Sequence, residues 1–354
     1  MIMQPPETDE VLIRREGRAG RITMNRPQAL NALTHGMVGK IRASLGAWQA
    51  DPAVELVLLD GTGDRALCAG GDVRSLYDSK AQGSEFARNF WRDEYRLNAL
   101  IGRYPKPYIA IQDGIVMGGG IGLSAHASHR IVTERSRLAM PETGIGLIPD
   151  VGGTWLLARA PSESGVYLGL TGENMNAADA IHARFSDTFV PSDKRTALTE
   201  RLIDPKGGRV DEAIAAFAQD AGPSSLAARS AEIENIFSGT SVEEILLALA
   251  NDSGAWAEKT ASTLKQKSPK ALKLTLAAIR GARTLTSLDE ALLVEFRLTV
   301  RLFEDGEFPE GVRALIIDKD GKPKWSPPEL ARISDDLVRA YLAPLPTGEE
   351  LTFT

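Results

Sequence analysis

Up to about residue 200 the chain alternates short apolar runs with amphipathic helical patterns, and from residue 210 onward it reads as helices alone. That alternation most constrains the fold. Strands interleaved with helices argue an α/β layer architecture, and the helix-only stretch adds a second, helical region. Residues 11–13 and 20–24 read as a hairpin whose turn is marked by Glu16-Gly17-Arg18. Thr34 is placed to cap a helix whose buried face is Met37, Val38, Ile41, Leu45 and Trp48. Residues 54–59 form an apolar strand ending in Asp60-Gly61-Thr62-Gly63, and 108–111 form another that leads through Asp113-Gly114 toward a triple glycine. Helices are expected over 241–250 and 269–279, and Asp204-Pro205-Lys206-Gly207-Gly208 marks the boundary between the two regions.

Bulk properties narrow the function classes. The 354 residues can bury a sizeable core, and 41 Lys and Arg against 47 Asp and Glu leave a formal charge of −6 with no long block of one sign. Nothing here forms a nucleic-acid footprint, and no run approaches the length of a membrane span. The single cysteine, Cys68, excludes an intramolecular disulfide and fits a reducing compartment. Residues 1–10 are polar and acidic, unlike a targeting segment, so a cytoplasmic location is expected, with a processed organellar protein as the alternative.

Three loops carry the chemistry-bearing residues. Ala69-Gly70-Gly71-Asp72 and Gly118-Gly119-Gly120-Ile121-Gly122 are glycine turns, the second lying after a strand and before the helix-like Leu123-Ser124-Ala125-His126. Glycine lets a ligand approach the backbone closely, and N–H groups converging from two loops would stabilise a developing oxyanion. The third loop, from Met140-Pro141-Glu142 to Pro149-Asp150, sets two carboxylates eight residues apart in an otherwise apolar stretch. Glycine donors beside paired carboxylates point to enolate or acyl chemistry. A dinucleotide fingerprint does not fit, since its third glycine would fall at Leu123, and no Walker-type Gly-Lys-Ser/Thr occurs.

These residues resemble the enoyl-CoA hydratase/isomerase, or crotonase, superfamily. The landmarks are Asn25-Arg26-Pro27-Gln28-Ala29-Leu30-Asn31-Ala32-Leu33, Cys68-Ala69-Gly70-Gly71-Asp72, Met117-Gly118-Gly119-Gly120 and Pro141-Glu142, in the family's order. The resemblance implies a crotonase-like (ClpP/crotonase) ββα spiral core over 1–205 and a helical region over 206–354. It implies an oxyanion hole for an acyl-CoA thioester from the peptide N–H groups of Gly71 and Gly119. Hydratases of the family carry a glutamate where this chain has Gly122, and usually glycine where it has Asp150. Pro149-Asp150-Val151-Gly152-Gly153, the stretch from Trp91 to Asn98, Lys106-Pro107-Tyr108, Glu310-Gly311-Val312-Arg313-Ala314, Ile317-Asp318-Lys319-Asp320 and Pro323-Lys324-Trp325 resemble the 3-hydroxyisobutyryl-CoA hydrolase branch instead.

That branch implies hydrolysis of a 3-hydroxyacyl-CoA thioester in valine and branched-chain catabolism. Glu142 would be nucleophile or general base, Asp150 would position water or contact the substrate hydroxyl, and Glu94 would accept a hydrogen bond from the 3-hydroxyl group. No cofactor is implied, because CoA is part of the substrate, and many relatives assemble as trimers or dimers of trimers. Two alternatives stand beside this reading: a hydratase or isomerase working through Glu142 alone, and an acyl-CoA-binding protein without turnover. Asp72 reads as an N-cap, and Cys68 as a small buried residue. His126 and His129 lack the partners of a zinc motif, so no metal is expected. Lys319, Lys322 and Lys324 read equally as a solvated loop and as CoA-phosphate contacts.

Overall fold

The computed structural model describes residues 9–353, so residues 1–8, most of the stretch weighed above as a targeting segment, lie outside the described part. The opening hairpin forms as β1 (Val11–Glu16) and β2 (Ala19–Met24), paired antiparallel. The helix α1 (His35–Ala50) begins at Thr34, whose hydroxyl accepts from the Met37 N–H at 3.3 Å. Met37, Val38, Ile41 and Leu45 are buried along its inner face, while Trp48 packs half-buried over Gly20.

From there the chain winds through three strand pairs: β3 (Leu56–Gly61) and β4 (Ala66–Cys68), β5 (Tyr108–Gln112) and β6 (Ile115–Met117), β7 (His129–Val132) and β8 (Arg137–Ala139). The first strand of each pair joins a six-stranded sheet, ordered β1-β2-β3-β5-β7-β9 with β9 at Thr188–Phe189, and the second joins a three-stranded sheet, β4-β6-β8. Helices intervene: α2 (Val73–Ser79) and α3 (Glu85–Gly102) after β4, and α4 (Gly119–Ser124) after β6. This is a ββα spiral, and the turn inside each pair must be tight. At Gly114, with φ of +73°, a Cβ would sit 2.5 Å from the Arg65 carbonyl oxygen.

The larger sheet is apolar on both faces, as a covered parallel sheet must be. Val57, Leu59, Tyr108 and Ala110 face the main core, whereas Leu56, Leu58, Ile109 and Ile111 face a second core with Leu198, Leu202 and Ile214. The main core runs on into the later helices, among them Ala255–Gln266, Pro269–Ala282 and Leu288–Glu304. Neighbouring strands of the β4-β6-β8 sheet are parallel, so the loops that follow them emerge at one edge. Those loops are the two glycine turns and the Glu142 segment.

Candidate active site

At that carboxyl edge the backbone is shaped by glycine. Gly70 has φ of +118° and Gly118 has φ of +45°, values that L side chains rarely adopt. The last two residues of the triple glycine are already helical, not a preamble to a later helix: α4 starts at Gly119 with Gly118 as its N-cap. Glycine is needed inside it because a Cβ on Gly120 would lie 2.2 Å from the Cys68 carbonyl oxygen. Neither the Gly71 nor the Gly119 N–H donates to an acceptor among the described residues. The two peptides face each other closely, since a Cβ on Gly119 would stand 3.3 Å from the Gly71 nitrogen.

Three carboxyl groups converge on these donors. Glu94 arrives from α3, Glu142 from the first residue of a 3₁₀ turn (Glu142–Ile145), and Asp150 from the loop that precedes α5 (Gly153–Leu157). Glu94 is 2% exposed and Glu142 and Asp150 are each 5% exposed, so the charged helical stretch around Glu94 is not a solvated face. All three line one cavity of about 210 Å³ with Gly71, Gly119 and an apolar wall that includes Trp91 and Phe308. Glu142 Oε1 lies 3.1 Å from where a Cβ of Gly118 would stand, and Glu94 Oε1 lies 2.8 Å from that of Gly119. Glu94 Oε1 and Glu142 Oε2 are buried with no hydrogen-bond partner among the described residues. Buried polar atoms are ordinarily satisfied, so orphan oxygens aimed into a cavity leave room for a ligand's donors.

Burial raises the pKa of all three groups. Glu142 is held well above the usual carboxylate range by burial and next by the Asp150 charge, while Lys267 pulls it the other way. Glu94 is raised by burial and then by Asp150. Asp150 is pushed up to about 6 by burial against the pull of the Tyr95 hydroxyl, which donates to Asp150 Oδ2 at 2.7 Å. Three acids sharing one dry pocket cannot all ionise cheaply, which is the arrangement that tunes a carboxylate toward neutral pH.

The loop after Asp150 is strained. Val151 has φ of +54°, an outlier for a β-branched residue, and Gly152 follows at +81°. His126 Nε2 bonds the Val151 carbonyl oxygen at 2.8 Å, and burial lowers this imidazole's pKa to about 4, so the neutral ring donates from Nε2. Glu295, on the helix Leu288–Glu304, accepts from the Gly152 N–H at 2.7 Å and the Thr154 N–H at 2.9 Å. Glu295, Tyr95 and Asn98 escaped the sequence reading as site residues. Glu295 does leave a trace there: it and Thr299 sit on the apolar stripe of Ala291, Leu292, Phe296, Leu302 and Phe303, where a soluble helix places hydrophobes.

Gly122 is a second informative glycine. A Cβ there would lie 2.7 Å from Asn98 Nδ2 and 2.8 Å from Val151 Cβ, so other residues fill the space a side chain would need. Elsewhere, Asp72 caps α2 by accepting from the Ser75 N–H. Cys68 is fully buried, and its thiol is pushed up to about 12 by burial. His126 turns to Val151 and His129 to Asp211, so the two imidazoles serve different neighbours. Lys319, Lys322 and Lys324 are exposed and do not line the cavity.

Known proteins resemble this chain along most of its length. Residues 19–342 match the enoyl-CoA hydratase/isomerase family. The mitochondrial 3-hydroxyisobutyryl-CoA hydrolase of Xenopus tropicalis is 41% identical over 345 residues, covering 95% of this chain and 89% of the frog protein. The human protein of the same name is 38% identical, covering 96% and 90%. Among solved structures, a carnitinyl-CoA dehydratase from Mycobacterium thermoresistibile superposes with a TM-score of 0.93 at 46% identity, covering 98% of this chain and 99% of that one. These relatives correct the expected cytoplasmic location, because the curated hydrolases are named mitochondrial. The expectation rested on one cysteine and on the leading residues. A reducing environment is not unique to the cytoplasm, and residues 1–8 lie outside the described structure.

Proposed function

The chain belongs to the enoyl-CoA hydratase/isomerase family, in its 3-hydroxyisobutyryl-CoA hydrolase branch, and from that premise we propose how its site cleaves the thioester. The enzyme hydrolyses 3-hydroxyisobutyryl-CoA, or a close 3-hydroxyacyl-CoA, to the free acid and CoA. The Gly71 and Gly119 N–H groups hold the thioester oxygen and take up its charge in the tetrahedral state. Glu142 acts in one of two ways. As general base it takes a proton from water, whose oxygen adds to the carbonyl carbon, and the proton passes to the departing CoA sulfur. As nucleophile it displaces CoA to form a mixed anhydride, which water then hydrolyses. Asp150 aligns the water or the substrate hydroxyl, and Glu94 accepts from the 3-hydroxyl group. A plain acyl thioester would leave the Glu94 acceptor buried and unpaired, a penalty of about 1–3 kcal/mol.

One observation carries hydrolysis over hydration. Among the described residues Glu142 keeps a buried unpartnered oxygen in the same cavity as two N–H donors without acceptors, while the place of a second acid at Gly122 is filled by Asn98 and Val151. The name of the dehydratase relative favours hydration as the second reading. Thiol release from 3-hydroxyisobutyryl-CoA, without hydration of crotonyl-CoA, is the expected result, and the reverse pattern overturns the reading. Binding of either thioester with no turnover would instead mark a non-catalytic acyl-CoA-binding protein. The role in valine breakdown and the self-assembly rest on the family resemblance, and the division at 205/206 on the Asp204-Pro205-Lys206-Gly207-Gly208 cluster and the change to helices after it. Mass in solution checks the assembly.

A further inference from the structure

Asp150 is useful only if its carboxylate points at a fixed spot, yet it is followed by the left-handed pair Val151 and Gly152. A non-glycine residue held there is strained and persists only where its surroundings over-determine it. The helix Leu288–Glu304 supplies that determination. Glu295, 0% exposed, takes the Gly152 and Thr154 N–H groups and also the Thr154 hydroxyl. One turn on, Thr299 Oγ1 lies 3.4 Å from the Tyr95 hydroxyl, the group that donates to Asp150. One helix face thus braces Asp150 through its following backbone and beside the donor on its side chain.

We propose that Glu295 is a positioning residue for thioester hydrolysis, locking the Val151–Gly152 turn so that Asp150 is aimed into the cavity. This rests on the reading that Asp150 takes part in that reaction. Both oxygens of Glu295 accept from N–H donors, so Glu295→Gln sets an NH₂ group against one of them while keeping the side chain's size. In the full-length protein, Glu295→Gln is expected to lower kcat for thiol release from 3-hydroxyisobutyryl-CoA by about 10²-fold, with KM little changed, because the cavity walls that hold the thioester stay in place. The decisive readout is the Asp150→Asn background. There the residual rate, read at high enzyme concentration, should fall less than twofold on adding Glu295→Gln, since the two residues act as a unit. Equal losses in both backgrounds would make Glu295 structural only and overturn the proposal, as would wild-type kcat in the single variant. If Glu295→Gln does not fold, Thr154→Val, which removes one donor to the same carboxylate, takes its place in the cycle. Full turnover by Asp150→Asn alone would overturn the role of Asp150, and the positioning role with it; impaired Asp150→Asn beside unimpaired Glu295→Gln overturns the positioning role alone.

Discussion

Adding a methyl group at Gly122 tests whether the space beside that glycine is filled, as the proposed function requires. A Cβ built there stands 2.7 Å from Asn98 Nδ2 and 2.8 Å from Val151 Cβ, closer than real Cβ atoms come. Asn98 is buried, and Val151 is fixed in a left-handed turn, so neither retreats freely. Overpacking of this kind costs about 1–3 kcal/mol. For 354 residues the unfolding entropy near the midpoint is roughly 0.7 kcal/mol/K, at about 2.1 cal/mol/K per residue, so Gly122→Ala should lower Tm by about 1–4 °C. Because Val151 adjoins Asp150, thiol release should fall with it. Gly122→Glu adds a buried acid with no counter-charge, so it should be destabilised further and should not hydrate crotonyl-CoA. Removing one of the two obstacles, as in Gly122→Ala with Asn98→Ala, should recover part of the lost Tm. Differential scanning calorimetry and the two turnover assays read all of this. An unchanged Tm in Gly122→Ala, or a folded Gly122→Glu that hydrates crotonyl-CoA, would refute the reasoning.

Gly119→Ala should cost about 10²–10³ in kcat for thiol release, since its Cβ would stand 2.8 Å from Glu94 Oε1 and 3.3 Å from the Gly71 nitrogen. Glu142→Gln should lose about 10²–10⁴ in thiol release while still binding substrate, as isothermal titration would report. In the proposed mechanism Glu142 must be ionised, and burial and Asp150 raise its pKa, so the acid limb of the rate profile should lie above the ordinary carboxylate range. Lys267→Met should move that limb higher still, because Lys267 pulls Glu142 down; an unmoved limb would remove Lys267 from the electrostatics. The native state binds more protons than the unfolded chain between the ordinary and the raised pKa, so this carboxyl's stability contribution falls as pH rises through that window. Glu142→Gln should therefore raise Tm at pH 8 and not at pH 4, where the carboxyl is already protonated.

What was legible in the sequence was local. The β1–β2 hairpin and α1 announce themselves by periodicity and by Thr34, and the glycine turns by composition. The convergence of Gly71, Gly119, Glu94, Glu142 and Asp150 on one cavity was legible only through the family resemblance, because no local rule sets the order of β4, β6 and β8. Glu295 was not legible at all. It acts on residues more than 140 positions away, through backbone N–H groups that carry no side-chain identity. The start of α4 at Gly119 was missed for a related reason. Three of its first four residues are glycine, a poor helix former, and tight packing against Cys68 outweighs that cost.

The later helices are part of the wall of the cavity that holds the three acids, and the burial of those acids shows why. A carboxylate tuned toward neutral pH needs a dry surround, and the β4-β6-β8 edge alone leaves its loops open on one side. The segment after residue 260 closes that side. Phe308 and Ile316 line the cavity, the Ser268 N–H holds the Thr143 carbonyl oxygen at 3.1 Å, and Gly311 packs so close to Ile145 that a Cβ would sit 2.3 Å from its carbonyl oxygen. Glu295 does the same for the Asp150 loop. By the family resemblance, hydratases usually have glycine where this chain has Asp150, and so have no carboxylate there to aim. Placing an acid at that position requires both the burial that raises its pKa and the contacts that fix its direction, and here one helical region contributes to both.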